Sequence, residues 1–259
     1  MLRLSQGQLS LLEYCPRRYQ HTILESLSVP SSPGLLTAQQ WGDRFHLLMQ
    51  QREMGLPIAP VLQADSELQT CLTQLQAQAS ELFDTAGEVF RQSEHERSLG
   101  FQTYWLTGVY DLLRLWGDRA EIVDWKTYLQ PKSFAHLQRD WQTRLYLYIL
   151  AETTDYAPAA LAMTYWFVRT VDDQSGKIKP QQVRIPYSDK QHRQTRQDLE
   201  RLTQQLTDLL AIGMPFPQIA SNLEKCDRCP FSIRCQRAKS DTDPAADLMA
   251  FADIPEVAI

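Results

Sequence analysis

The sequence predicts an α/β protein, because helical patterns at both ends of the chain enclose a central part with strand patterns. Residues 1–86 and 188–240 carry helical segments, whereas 87–187 contain alternating segments rich in Val, Ile, Tyr and Trp. The chain has 259 residues, 43% of them hydrophobic, enough for one large domain or for one domain with a small appendage. We predict a single domain over 1–240 and an acidic, flexible tail over 241–259.

Capping patterns mark the helices of the N-terminal part. Ser5 opens a capping box ahead of a short helix over 6–14, and Pro16 would end that helix. Thr37 is a candidate N-cap for a second helix and Asp65 for a third, each followed by apolar residues at helical spacing.

The central part predicts strands with one helix among them. The stretch "EVFRQSEHERSLGFQTYWLTGVYDLLRLWGDRAEIVDWKTY" reads as three strands with turns near Gly100 and Gly117. Helical spacing returns in "FAHLQRDWQTRLYLYILAET", and "ALAMTYWFVRT" and "QQVRIPY" are two more strands. Ser188 then caps a long helix that ends at Gly213.

Composition limits the compartment and the partners. No apolar run reaches the ~18 residues of a membrane span, and the first residues lack a signal-peptide pattern, so we predict a cytoplasmic protein without a membrane partner. The absence of a GxxxxGK[ST] loop excludes a Walker-type motor domain. The formal net charge is −5, but residues 241–259 hold five acids and no Lys or Arg, which leaves 1–240 neutral. Arginine clusters could therefore contact phosphate, although a solvated mixed surface explains them equally well.

Two charged residues interrupt an apolar strand in "EIVDWKT". Asp124 and Lys126 point to the same face, and burying them would be costly unless they are paired. A simple ion pair is one interpretation. A metal site is the other, because "TGVYDLL" places Asp111 on the preceding strand, and two carboxylates can bind Mg²⁺ or Mn²⁺. A water activated by such a metal could attack a phosphodiester, with Lys126 beside the growing charge.

These stretches resemble the PD-(D/E)XK nuclease superfamily. "GVYD" followed by "IVDWK" is similar to its G-x-x-D…(D/E)-x-K signature, and "WGDRFH" and "QTRLY" resemble the Gly-x-x-x-His and Gln-x-x-x-Tyr motifs of its RecB-like branch. The resemblance implies a restriction-endonuclease-like fold, in which helices flank a mixed central sheet, with residues 87–187 as the catalytic core.

The resemblance also implies roles for individual residues. The implied metal ligands are His46, Asp111, Asp124 and the carbonyl of Trp125. Lys126 is the implied catalytic lysine.

Helical and acidic residues complete the implied site. Gln142 and Tyr146 would contact DNA or orient the site. Relatives often carry a glutamate on the preceding strand, and the sequence does not choose between Glu94 and Glu96.

Three of the five cysteines crowd into "EKCDRCPFSIRCQ". Thiolates at such spacing suit an iron–sulfur cluster or zinc, and metal-free thiols are a third interpretation. The C-x2-C-x5-C spacing, with Cys15 in "LLEYCPRRY", resembles iron–sulfur RecB-like nucleases. That resemblance implies a 4Fe–4S cluster, with zinc as the rival, bound by Cys15, Cys226, Cys229 and Cys235. Cys71 lies beside a helical apolar stripe and reads as a small buried hydrophobe.

The combined prediction is a metal-dependent nuclease that hydrolyses DNA, acting as an exonuclease on single strands or ends. DNA repair, recombination and CRISPR adaptation are the pathways that the resemblance implies, with protein partners in such complexes. One alternative is an inactive nuclease fold that serves as a DNA-binding or complex-assembly module. Another is a zinc-stabilised protein-interaction domain.

Overall fold

The computed structural model describes residues 1–28, 33–172, 174–220 and 223–237. The predicted tail over 241–259 lies outside these residues. The strands are β1 (Leu2–Leu4), β2 (Phe90–Phe101), β3 (Tyr104–Leu115), β4 (Ala120–Lys126), β5 (Leu161–Phe167) and β6 (Gln181–Pro186). The α-helices are α1 (Gln6–Tyr14), α2 (Pro16–Tyr19), α3 (Pro33–Glu53), α4 (Ala59–Ala64), α5 (Ser66–Gln78), α6 (Ser80–Phe83), α7 (Phe134–Arg139), α8 (Trp141–Glu152), α9 (Asp189–Ile212) and α10 (Leu223–Asp227). A π-helical turn (Gln20–Leu24) follows α2, and a 3₁₀ turn (Pro158–Ala160) precedes β5. Among the described residues, no helix combines the length and the apolar composition needed to cross a membrane.

All six strands belong to one mixed sheet. The chain runs antiparallel from β2 to β3 and from β3 to β4, parallel from β4 to β5, and antiparallel from β5 to β6. The short strand β1 lies parallel to the start of β3, where Leu4 is opposite Leu106. The predicted α/β fold, a mixed sheet flanked by helices, is confirmed.

Helices cover both faces of the sheet. On one face, α1, α8 and α9 pack against β4 through a cluster that includes Ile122 and Leu147. On the other face, α3 and α5 pack through a second cluster that includes Phe45, Leu72 and Val123. Ile122 and Val123 are neighbours on β4, so the strand that carries the charged residues lies between two apolar layers.

Most predicted helix starts are confirmed by their capping contacts. Ser5 forms the complete capping box, the Asp65 carboxylate accepts two backbone N–H groups, and the Ser188 hydroxyl accepts the N–H of Gln191. The prediction at Thr37 was wrong, because α3 begins at Pro33. Proline at the first helical position needs no capping side chain to fix its backbone angle, and the apolar stripe begins only later in the helix.

Three local features differ from the prediction. The helical stretch after β4 consists of α7 and α8, because the Asp140 carboxylate accepts the N–H of Gln142 and starts a new helix. Strand β2 continues through Gly100, and the turn lies at Gln102, which has a positive φ of 53°. Strand β1 was not predicted, since three residues are too few to show an alternating pattern.

Strands β3 and β4 separate at one end. Their ladder runs from Leu115, opposite Ala120, to Leu112, opposite Val123, and ends there. Because β2 occupies the other edge of β3 along its whole length, β1 and β4 share this edge and leave a gap between them. Asp111 lies at the border of this gap.

A buried ion network holds α3 and the loop before β2 against the sheet. Arg114 on β3 is 4% exposed and donates to the Glu88 carboxylate at 2.6 Å. Glu88 also accepts from Arg91 at 3.2 Å, and Arg91 pairs with Glu53 at the end of α3. Arg114 further donates to two backbone carbonyl oxygens, so every member of the network has partners.

We expect Arg114→Met to lower the free energy of unfolding by about 3–5 kcal/mol, because it leaves buried acceptors without their donor. Arg119→Met is the matched control. Both guanidinium groups lie over the ring of Trp116, at 4.7 Å for Arg114 and 4.3 Å for Arg119, but Arg119 pairs with Asp118 in solvent. The control should cost less than about 1 kcal/mol. Equal losses in denaturant unfolding would show that the network does not hold these elements together.

Candidate active site and cysteine site

Asp111 anchors the candidate active site where β3 and β4 separate. One of its carboxylate oxygens accepts the backbone N–H of Trp125 at 2.7 Å and lies 3.5 Å from Nδ1 of His46. Burial raises the pKa of Asp111, but His46, Lys126 and the Trp125 N–H oppose it and lower the pKa overall. The group is therefore held as a carboxylate, the form that binds cations.

Three side chains converge at this point. His46, Glu94 and Asp111 each offer a ligand atom, and these atoms lie within 4.8 Å of one another. One imidazole nitrogen and two carboxylates suit Mg²⁺ or Mn²⁺, so the residues present fit a divalent cation. The Trp125 carbonyl is close to this group, since its oxygen lies 3.1 Å from Nε2 of His46.

Glu94 lies near His46 and Asp111 because strands β2 and β3 are both distorted at this level. It lies between the paired residues Ser93 and His95 and has a positive φ of 48°, which is uncommon for a residue other than glycine. The alternation of β3 breaks at the same level, because Tyr110 and Leu112 pack on opposite faces of the sheet.

The structure therefore separates the two candidate glutamates. Glu96 is exposed and pairs with Arg3 at 3.4 Å, whereas Glu94 joins His46 and Asp111. Neither the φ of Glu94 nor the break in β3 has a signal in the sequence.

Asp124 and Lys126 form a buried pair next to this group. The Asp124 side chain is 2% exposed, and its Oδ2 lies 2.8 Å from Nζ of Lys126. Its Oδ1 accepts from Nε2 of Gln142 at 2.6 Å. Asp124 thus orients the lysine in this structure, and it is not one of the three clustered ligands.

Tyr146 lies beneath the site on α8. It is 2% exposed, and burial raises the pKa of its phenol, with a further rise from the nearby Asp124 carboxylate. Gln142 thus contacts the site through Asp124, whereas contact with DNA through Tyr146 would require the ring to become accessible.

Two glycines permit the close packing that positions these side chains. A Cβ at Gly108 would lie 2.9 Å from the Tyr146 ring, so β3 and α8 approach each other only because the side chain is absent. A Cβ at Gly42 would lie 3.2 Å from Oγ1 of Thr127. This contact places α3 against the end of β4, and His46 lies on the same face of α3 one turn later.

Comparison with known proteins identifies the family. A sequence model of the PD-(D/E)XK nuclease superfamily matches residues 3–236. The chain belongs to the PD-(D/E)XK nuclease superfamily. Its fold is similar to that of a protein named "Putative exonuclease" from Eubacterium rectale, with 12% identity, a TM-score of 0.52, and coverage of 96% of this chain and 93% of that chain. The structure of SSO0001 is also similar, with 12% identity, a TM-score of 0.39, and coverage of 93% and 89%. No curated protein matches the sequence.

The superfamily match extends over a second site, built from both ends of the described chain. Cys15 separates α1 from α2, Cys226 lies in α10, and Cys229 and Cys235 lie in the turns that follow. All four line one small cavity, together with Arg18. No cysteine of the chain is in a disulfide.

Hydrogen bonds also join the N-terminal residues 14–20 to residues 216–225. The backbone N–H of Phe216 donates to the side-chain oxygen of Gln20 at 2.6 Å, and the Tyr14 hydroxyl donates to the Lys225 carbonyl at 3.2 Å. The Arg17 guanidinium donates to the Phe216 carbonyl. The cysteine positions are therefore supported by ordinary hydrogen bonds.

The chemistry of the donors fits a metal centre. Four cysteines line one small cavity, and thiolates are ligands that suit an iron–sulfur cluster or zinc.

Two basic side chains also contact the thiols. Arg237 donates to the sulfur of Cys226 at 3.6 Å, and Nε2 of His21 lies 4.0 Å from the sulfur of Cys235. Burial raises the pKa of Cys235, which Arg17 partly offsets. Cys71, in contrast, is fully buried among the leucines of α5, and burial raises its pKa to about 12.

The glycine contact in the active site can be tested by stability alone. We expect Gly108→Ala to lower the free energy of unfolding by about 1–3 kcal/mol, because the added Cβ overlaps the buried Tyr146 ring. Gly117→Ala is the control, since a Cβ there meets nothing within 4 Å. If both variants unfold at the same denaturant concentration, the close approach of β3 to α8 is not required.

Proposed function

We propose that this chain is a divalent-metal-dependent nuclease of the RecB-like branch that hydrolyses DNA from single-stranded ends. The observation that carries the proposal is the convergence of His46, Glu94 and Asp111 beside the buried Asp124–Lys126 pair. Superfamily membership supports the reaction class. The thiols, none in a disulfide, support a reducing compartment such as the cytoplasm.

His46, Glu94 and Asp111 are the proposed metal-binding residues of this site. A bound Mg²⁺ or Mn²⁺ would supply a Lewis acid for the phosphate and lower the pKa of a water. His46, Glu94 and Asp111 would hold it, with the Trp125 carbonyl at the border of the group. The Trp125 N–H fixes the orientation of the Asp111 carboxylate, so the ligand does not have to reorganise when a cation binds.

Lys126 would stabilise the negative charge that grows on the phosphate. Its ammonium is held by the Asp124 carboxylate, which Gln142 holds in turn. Such a fixed cation in a site of low polarity contributes more than it would in water. Asp124 remains a predicted metal ligand through the family resemblance, while in this structure its carboxylate is paired with Lys126 and Gln142.

Exonuclease action is the finer part of the proposal. The RecB-like motifs around His46 and Gln142 support it, and we extend to this chain the activity class in the name of the like-folded protein from Eubacterium rectale. A linear single-stranded oligonucleotide and a circle of the same sequence distinguish exonuclease from endonuclease action. We expect loss of the linear DNA only, and equal loss of the circle would show that ends are not required.

Single substitutions test the assigned site. We expect Glu94→Gln, Asp111→Asn and Lys126→Met each to reduce Mn²⁺-dependent cleavage of labelled single-stranded DNA by at least about 100-fold, because each removes charge from the reacting centre. Glu96→Gln is the matched control, two residues along the same strand and on the exposed surface. It should cleave at the wild-type rate.

The pattern of losses separates the alternatives. If Glu96→Gln loses activity and Glu94→Gln does not, the metal group has been assigned to the wrong glutamate. If the wild-type chain binds DNA but does not cleave it with any divalent cation, it is the inactive assembly module. If the wild-type chain neither binds nor cleaves DNA, the result favours the protein-interaction domain.

We also propose that the four cysteines hold a 4Fe–4S cluster. The observation that supports it is that Cys15, Cys226, Cys229 and Cys235 line one cavity, and their sequence spacing resembles that of iron–sulfur RecB-like nucleases. Such a cluster would join the N-terminal helices to the segment after α9 and stabilise both. When bound, it would supply a metal–thiolate cross-link between the two segments.

Metal content tests the cysteine assignment independently of activity. Protein purified without oxygen should contain about four irons and absorb broadly near ~400 nm. Serine in place of any of the four cysteines should release iron and lower the melting temperature. Cys71→Ser is the control. It should keep the iron and lower the free energy of unfolding by about 1–3 kcal/mol, because it buries a hydroxyl. One zinc and no iron in the wild-type protein would overturn the cluster and leave the nuclease proposal standing.

A further inference from the structure

Two cationic or polar side chains contact two of the cysteine sulfurs directly. Arg237 donates from Nη1 to Sγ of Cys226 at 3.6 Å, and Nε2 of His21 lies 4.0 Å from Sγ of Cys235. Both distances fall in the range of hydrogen bonds to sulfur. The two contacts come from opposite ends of the chain and reach different cysteines.

Arg237 is built to face the cysteine cavity. Its backbone N–H donates to the Ser232 carbonyl at 2.8 Å, which fixes the chain at this point, and its side chain lines the cavity. A guanidinium has only donors and keeps its charge, so its contact with a sulfur is a charge-assisted N–H···S bond. The residue is half-buried, and the described residues that line this cavity include Arg18 as a second guanidinium and no carboxylate.

His21 is held in place by a carboxylate behind it. It is 3% exposed, its Nδ1 lies 2.8 Å from Glu25, and the ring of Phe231 lies 5.0 Å from its own. Gln20 donates to the same carboxylate, and Arg234 approaches it to 3.3 Å. These contacts leave the imidazole one orientation, with Nε2 toward Cys235. Once that cysteine ligates a metal, both neighbours of the ring are acceptors.

We propose that Arg237 and His21 are positioning residues that act through the ligand sulfurs to raise the reduction potential of the cluster. The inference rests on the proposed 4Fe–4S cluster. Hydrogen bonds to the ligand sulfurs and nearby positive charge withdraw electron density and so stabilise the reduced state. A purely structural staple does not require donors on its sulfurs, whereas a cluster that accepts one electron is stabilised by them.

The redox step involves one electron and no change in bonding. Dithionite supplies the electron, the cluster passes from its 2+ to its 1+ state, and the four Fe–S(Cys) bonds remain. The midpoint potential of that couple is the direct readout, because it responds to donors on the sulfurs even when folding and iron content stay the same.

The experiment uses the full chain, purified without oxygen, with the iron content measured first. Arg237→Met and His21→Leu should keep four irons and move the midpoint potential to more negative values, and the double variant should move it further than either. Arg237→Lys and His21→Gln retain a donor and should stay closer to the wild-type potential. His192→Leu is the matched control, since His192 also bonds a glutamate and stacks on an aromatic ring but contacts no cysteine.

The measured potentials and metal contents show whether Arg237 and His21 act on the cluster. If the potentials of Arg237→Met and His21→Leu equal that of His192→Leu at full iron content, the contacts do not act on the cluster. If His21→Leu does not fold, the half-exposed Arg237 series carries the test alone. Zinc in place of iron in the wild-type chain overturns this inference together with the cluster, and it is detected before any variant is made. A cluster with four irons and unchanged potentials overturns this inference only.

Discussion

The hydrogen bond between the Trp125 N–H and the Asp111 carboxylate is the interaction on which the active site depends. In a regular antiparallel ladder the N–H of Trp125 would be satisfied by a backbone carbonyl of β3. Here the ladder ends at Leu112, and a side-chain oxygen at 2.7 Å takes the place of that carbonyl. The two strands can therefore separate without leaving a buried donor unsatisfied, and the gap between them becomes the place where a cation and a phosphate could meet.

Asp111 thus belongs both to the end of the strand ladder and to the candidate metal group. The carboxylate of Asp111 terminates strand pairing and also faces His46 and Glu94. The distortion that brings Glu94 opposite Asp111 costs backbone strain, which is found most often at functional sites. A substitution of Asp111 therefore changes the sheet as well as the candidate metal group, and an asparagine there keeps an acceptor for the N–H while losing the charge.

The sequence predicted the fold class and most helix starts because these depend on local signals. Ser5, Asp65 and Ser188 cap their helices by contacts within three residues, and alternation identified the long strands. Thr37 misled because it lies inside α3, which begins at Pro33, and proline is favoured at the first helical position. The choice of Glu94 over Glu96 could not be made, because it depends on a strand distortion and not on residue type. Charges within apolar strands singled out Asp111, Asp124 and Lys126, and a resemblance implied the other site residues. The geometry adds how Asp124 and Lys126 are paired.

The contacts between the first 25 residues and the rest of the molecule have a consequence for synthesis. Strand β1 pairs with a part of β3 about a hundred residues later in the chain, and Gln20 bonds Phe216 across 196 residues. Contacts of such long sequence separation form late in folding, since the intervening loop must close first. Strands β2 to β6 are therefore all synthesised before the N-terminal helices reach their last partners. The cysteine cavity is completed later still, because Cys235 follows every strand of the described sheet.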